Sequence, residues 1–126
     1  MVKDSSRLYF ALDLKEGDSI IAEYENWHRP DRIWPEVVEA IRAGGALELE
    51  IFRCGSRLVM VIEGAQGVNE KAIVPEATGN SRLQEWESLM WQYQQSLPFA
   101  KPGQKWVPMR RIFSLRDTVV GSMVGK

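Results

Sequence analysis

Two short runs, 8–14 (Leu-Tyr-Phe-Ala-Leu-Asp-Leu) and 58–62 (Leu-Val-Met-Val-Ile), are apolar on nearly both faces. A strand of that kind must be covered on both sides, so both read as central strands of one sheet. Between them, Gly17, Asp18 and Ser19 offer a turn and helix caps, and Ile20, Tyr24 and Trp27 then share one helical stripe with His28 beside it. Pro30 stops or kinks this helix. A second start follows at Trp34-Pro35-Glu36, where proline suits the first helical position and Gly44-Gly45 suits the end, so the first helix is broken around residues 29–34.

Leu47-Glu48-Leu49-Glu50-Ile51 alternates strictly, as a half-exposed edge strand does, and Cys54-Gly55-Ser56 is a hairpin connection to the second apolar run. Residues 63–80 contain Gly64, Gly67, Pro75 and Gly79 with weak periodicity and read as a long loop of the kind that forms a lid or rim. Ser81 with Gln84 resembles a capping box. Leu83, Trp86, Met90, Tyr93 and Leu97 then repeat at three- and four-residue steps, predicting a helix that runs to Pro98. The last strand spans 106–115 and lies at an edge, because Pro108 lacks a ladder donor and Arg110-Arg111 are charged.

This order, strand-helix-strand-strand-helix-strand, predicts an α+β ferredoxin-like βαββαβ fold: a four-stranded antiparallel sheet with two helices on one face. The opposite face is left apolar and uncovered. A second copy of the chain is expected to pack there, giving a homodimer of the dimeric α/β barrel type. One domain is expected over 1–126, with its core at about 7–115 and a C-terminal tail at 116–126. A chain of 126 residues is long enough to bury one core without disulfide or metal staples.

Sixteen Lys and Arg against 17 Asp and Glu leave a net charge of -1, without the basic field that a nucleic-acid partner requires. No apolar run has membrane-spanning length and no signal-like segment follows the N-terminus, so no membrane partner is expected. The single Cys54 forms no internal disulfide, which points to a reducing compartment and a cytoplasmic protein.

Tyr24 and His28, spaced i, i+4, share a helix face about one turn apart and can touch one ligand. Histidine gives and accepts protons near neutral pH, and a tyrosine hydroxyl orients or relays them. By spacing alone, a packing role and a catalytic role for His28 are evenly balanced. Arg29, Asp31, Arg32 and Trp34 form a charged turn able to bind sugar hydroxyls, with an indole for stacking, although such turns are more often simply solvated. Glu36 in the first turn of the next segment is a dipole partner. On the later helix Gln84, Glu87 and Trp91 share an outer face, while Trp86 lies on the stripe, where core packing is the commoner role. Five tryptophans in so short a chain matter because carbohydrate sites combine aromatic walls with carboxylates and amides. Met60, Met90 and Met109 read as core filler, and Cys54 has no activating partner. The sequence holds no phosphate-binding glycine loop, metal-spaced ligand set or Ser/His/Asp constellation, so the chemistry is proton transfer or binding, with no cofactor and no metal.

Four segments taken in order resemble the L-rhamnose mutarotases: 24–28 (Tyr-Glu-Asn-Trp-His), 33–36 (Ile-Trp-Pro-Glu), 84–86 (Gln-Glu-Trp) with Leu89-Met90, and 106–109 (Trp-Val-Pro-Met) with 112–115 (Ile-Phe-Ser-Leu). The resemblance covers nearly the whole chain from the first strand to Leu115. It implies a dimeric ferredoxin-like enzyme in which His28 is the proposed proton donor, Tyr24 binds the sugar and Trp86 is the family's helix tryptophan. Glu87 stands where those enzymes carry a second tryptophan, Leu49 falls at a sugar-contacting tyrosine, and the link from His28 to Trp34 is longer. The segments 105–109 and 85–91 look more like the branch associated with L-fucose, which makes L-fucose the expected monosaccharide and L-rhamnose the second choice. On this reading His28 donates to the ring oxygen, Tyr24 orients the sugar, Trp86 and Trp34 line its apolar face, and Glu87 or Asp31 holds hydroxyls. The rival readings are an oxygenase or haem-handling protein with His28 as axial ligand, and a non-catalytic sugar-binding module.

Overall fold

The first apolar run lies in the middle of a sheet, as its two apolar faces require. The computed structural model describes residues 5–65 and 81–118. Strand β1 (Ser5–Leu14) pairs antiparallel with β3 (Arg57–Ala65) along nearly its whole length, from Ser5 opposite Ala65 to Asp13 opposite Arg57. Strand β2 (Ala46–Cys54) flanks β3, and two short strands, β4 (Gln94–Gln95) and β5 (Val107–Pro108), flank β1. The order is β2-β3-β1-β4, with β5 also on β1, and every pairing is antiparallel.

Alternate residues of the central strands turn inward. Phe10, Leu12 and Leu14 meet Leu58, Met60 and Ile62, all buried. Helices α1 (Asp18–Trp27), α2 (Pro35–Ala43) and α3 (Ser81–Trp91) add Tyr24, Val37, Leu83, Trp86 and Met90 to this one core, so they cover the same face. The broken first helix is thus two helices. Gly17 occupies the N-cap position of α1 at φ +130°, where L side chains are strained, and no side chain caps it. Pro35 is at the start of α2 and Gly44 caps its end, as the proline and glycine positions require.

Four expectations are corrected. The alternation over 47–51 puts Leu47 on the inner face, but a bulge between Ala46 and Glu48 turns Leu47 out to 70% exposure and seats Ala46 in the core instead. The helix expected to reach Pro98 ends at Trp91, because the edge of β1 captures the chain: Lys15 N–H donates to the Tyr93 carbonyl at 2.8 Å, and Gln94–Gln95 join Asp13 and Leu14. Tyr93 and Leu97 remain buried, so the apolar stripe outlasts the helix. The strand expected over 106–115 shrinks to Val107–Pro108, followed by one further bond from Met109 N–H to the Tyr9 carbonyl, and the Met109 side chain, expected as core filler, is 49% exposed because the chain leaves the sheet there. The sheet therefore has five strands, its β1 edge shared by two short ones. Finally, residues 63–65 are strand rather than loop, and the rest of the lid or rim segment, 66–80, lies outside the described residues.

The outer face of the sheet is left open among the described residues. Tyr9 (42% exposed), Ala11, Val59, Val61 and Phe52 (54% exposed) lie in two adjacent rows there.

Candidate active site

Tyr24 is buried in the middle of α1, and His28 follows one turn later at its C-cap, their ring centroids 4.5 Å apart. His28 Nδ1 lies 2.8 Å from the Tyr24 carbonyl. A carbonyl only accepts, so Nδ1 carries the hydrogen and Nε2 is left free to exchange a proton. Burial lowers the imidazole below its ordinary value of 6.5, opposed only in part by that bond, so His28 is neutral at pH 7 with a lone pair on Nε2. Tyr24 moves the other way. Burial, aided by the charge of Glu87 and opposed by a bond from Gln94, pushes it up to about 12, and it stays a hydrogen-bond donor at any working pH.

Trp86 of α3 meets His28 edge-on at 5.6 Å, Trp34 packs behind it at 5.2 Å, and Trp27 stands behind Trp34 at 6.5 Å. The outermost two rings are covered by guanidinium groups, Arg82 over Trp34 at 3.7 Å and Arg32 over Trp27 at 4.8 Å. This row of indoles clamps the turn between α1 and α2 against α3 and so holds His28 in place.

In front of these rings lies a cavity of about 570 Å³, lined by residues of all three helices, β2, β3 and the 105–106 segment. That volume accommodates a monosaccharide. Tyr24, His28, Trp86 and Glu87 all line it, so the structure brings together four of the six residues singled out in the sequence. Trp34 and Asp31 are not in the lining. Trp34 supports Trp86 from behind. Asp31 forms an exposed pair with Arg29, at 3.1 and 3.2 Å, pointing into solvent beside α1. Leu49, Ile51 and Met60 supply an apolar wall.

Two lining residues escape the sequence reading. Lys105 is largely buried, its side chain 9% exposed, and donates from Nζ to Glu87 Oε1 at 2.6 Å beneath the ring of Trp91. Burial lowers its ammonium below the ordinary 10.5, and the Glu87 carboxylate works against that shift. Gln94, 4% exposed, donates from Nε2 to the Tyr24 hydroxyl at 3.3 Å, and its Oε1 has no partner. Neither position carries a local signal of a site: Gln94 falls off the apolar stripe of the helix expected to run to Pro98, and Lys105 opens the 105–109 segment after Pro102-Gly103 with no role assigned to its side chain. Among the described residues no three His, Cys, Asp or Glu side chains are grouped to hold a metal ion, and no helix is long and apolar enough to cross a membrane.

A neutral imidazole with a free nitrogen, a buried ammonium on a carboxylate, a phenol and an amide share one cavity with indole and aliphatic walls. Fold and site together define a small ferredoxin-like α+β protein built for proton transfer on a sugar-sized polar molecule. Comparison with known proteins places it more closely. The profile of L-rhamnose mutarotase matches residues 7–115, and the chain belongs to that family of isomerases acting on carbohydrates. It is 45% identical over 113 residues to the L-fucose mutarotase of Xanthomonas campestris pv. campestris, covering 90% of each chain. A Dictyostelium discoideum protein whose name states no activity is 31% identical over 109 residues, covering 83% of this chain and 86% of its own. The fold is also that of an L-rhamnose mutarotase from Formosa agariphila, at a TM-score of 0.61 and 21% identity over 87% of this chain and 98% of that one. A type-II polyketide cyclase, tetracenomycin F2 cyclase from Streptomyces glaucescens, shares the fold at a TM-score of 0.56 and 17% identity, covering 86% and 95%.

Proposed function

We propose that the protein interconverts the anomers of a 6-deoxy-L-sugar, with L-fucose preferred over L-rhamnose, and that His28 is its proton-transfer residue. The observation that carries this reading is the bond from His28 Nδ1 to the Tyr24 carbonyl inside the cavity, which fixes the tautomer and frees Nε2. Mutarotation needs one proton removed from the anomeric hydroxyl and one delivered to the ring oxygen. His28 was expected to donate to the ring oxygen, but a neutral imidazole has no proton to spare at Nε2, so His28 takes the first proton there and the ammonium of Lys105, held by Glu87, delivers the second. The bond between the anomeric carbon and the ring oxygen breaks as the carbonyl forms. Rotation presents the other face, and closure reverses both transfers: the hydroxyl that was the ring oxygen attacks the carbonyl carbon and gives its proton back to Lys105, while His28 gives its proton to the carbonyl oxygen. His28 thus begins as acceptor and ends as donor within one cycle. Trp86 covers an apolar face of the ring, and the Leu49, Ile51 and Met60 wall suits the methyl group of a 6-deoxy sugar.

The preference for L-fucose is supported by the Xanthomonas relative and by Glu87, which with Lys105 puts a polar pair where the L-rhamnose pattern carries an indole. The homodimer is supported by the open apolar face and by charge. Glu48 and Glu50 line the β2 side of the sheet and Arg110 and Arg111 follow the opposite edge, so a face-to-face pair about a two-fold axis parallel to the strands sets the acidic edge of one copy against the basic edge of the other. The exposed thiol of Cys54, without a second cysteine, suits the reducing cytoplasm.

Saturation-transfer NMR on L-fucose, L-rhamnose and D-galactose tests the reading. Anomer exchange is expected to be fastest with L-fucose, and His28→Ala should return it to the rate in buffer. Exchange unaffected by the protein for all three sugars, or normal exchange in His28→Ala, would overturn it.

A further inference from the structure

Gln94 is a polar side chain inside an apolar core, 4% exposed among residues such as Leu14, Tyr24 and Met90. Its backbone position is set by pairing with Leu14, which turns the side chain inward onto the cavity wall. There Nε2 donates to the Tyr24 hydroxyl at 3.3 Å, while Oε1 is buried without a partner. An unpaired buried amide carbonyl is destabilising, and an apolar side chain of the same size would remove that penalty. Turning the amide over only exchanges an unpaired acceptor for an unpaired donor, so one polar atom stays unmatched in either setting.

The Tyr24 hydroxyl complements this. It accepts from Gln94, and its own O–H has no acceptor among the described residues. An acceptor on Gln94 and a donor on Tyr24 therefore stand side by side on one wall. A hydroxyl group, which gives one hydrogen and takes another, matches both at once.

We propose that Gln94 and Tyr24 together read one ring hydroxyl of the sugar, making Gln94 a specificity-determining residue of this site. The inference rests on the mutarotase reading and deepens it. L-Fucose and L-rhamnose differ in configuration at the second and fourth carbons, so the hydroxyl that separates them is at one of these two. A site built to pair a hydroxyl discriminates against an analogue that lacks it, because its own buried atoms are then left unmatched.

The test measures the Kd of L-fucose, L-rhamnose and the 2-deoxy and 4-deoxy analogues of L-fucose by calorimetry, with the wild type, Gln94→Met and Tyr24→Phe, and the Tm of each protein without sugar. Gln94→Met should weaken L-fucose roughly tenfold or more and narrow the gap to L-rhamnose. Its Tm should equal or exceed that of the wild type. One of the two deoxy sugars should bind wild type and Gln94→Met alike, and Tyr24→Phe should spare the same sugar. An unchanged Kd for L-fucose, a uniform loss across all four sugars, or a lowered Tm in Gln94→Met would overturn the proposal, the last two by showing a structural role. Wild-type acceleration of anomer exchange, measured on the same samples, judges the mutarotase reading separately. A wild type that binds with this pattern but accelerates nothing refutes that reading alone, and one that binds none of the sugars refutes both.

Discussion

The imidazole of His28 meets an indole edge, a phenol ring and a backbone carbonyl, and none of these stabilises a positive charge as water would. Its lowered pKa has two consequences of opposite practical sign. For activity, the acceptor form persists to lower pH than a free histidine would allow, so the acid limb of catalysed exchange should lie below the range in which free histidine titrates, and the lowered Lys105 should bring the alkaline limb below that of a free lysine. For stability, the unfolded histidine titrates near 6.5 and the folded one lower, so between those values the unfolded chain binds more protons and the native state loses stability as pH falls. His28→Gln should abolish this contribution, seen as a flatter plot of the urea midpoint against pH, and should slow exchange by about 10²- to 10⁴-fold. A midpoint with the same pH slope in both proteins would contradict the assignment. At this scale the sequence was informative where partners are neighbours in a helix: Tyr24 and His28 at i, i+4 share a face by helical geometry alone. It was silent on Gln94 and Lys105, whose partners Tyr24 and Glu87 lie 70 and 18 residues away.

Among the elements, the most legible were those with punctuation of their own. Pro35 and Gly44 bound α2, and the two-residue turn Gly55-Ser56 closes the hairpin between Cys54 and Arg57. Gly55 has φ +62° with nothing within 4 Å of where a Cβ would lie, so the strain of a substitution there is backbone strain alone. Gly55→Ala should lower stability by about 1 kcal/mol, and Gly55→Asn by less, at an unchanged denaturant slope in urea unfolding. Equal stability of Gly55→Ala and wild type would show that the turn does not hold this conformation in solution. The less legible elements were those decided by competition. The stripe from Leu83 to Leu97 satisfies a helix throughout, yet the unpaired edge of β1 offers Tyr93 and Gln94 sheet bonds that a continued helix could not supply. That switch from helix to strand is what carries Gln94 to the cavity wall.

For the whole molecule, the open sheet face and the segment after β5 belong together. Tyr9 and Phe52 on the sheet, and Met109, Ile112, Phe113 and Leu115 beyond it, expose more large apolar side chains than one small chain leaves in water. Sedimentation equilibrium should give a mass twice the 14.4 kDa of one chain. Val59→Lys combined with Phe52→Glu, both on the outer face, should shift the protein toward monomer with its secondary structure retained. A monomeric wild type at micromolar concentration would refute the homodimer.

The apolar and polar periods of the chain were enough to determine two central strands, the β2 edge, helices on one face and the residues Tyr24 and His28 on one helix turn, because each follows from backbone periodicity and the handedness of the crossovers. Tertiary structure alone decided the rest. It ended α3 at Trp91, turned Leu47 outward, put Trp34 behind Trp86 and left Asp31 in solvent. It also joined Gln94 and Lys105 to the cavity, since pairing at a sheet edge and burial between distant segments depend on what the chain meets after it folds.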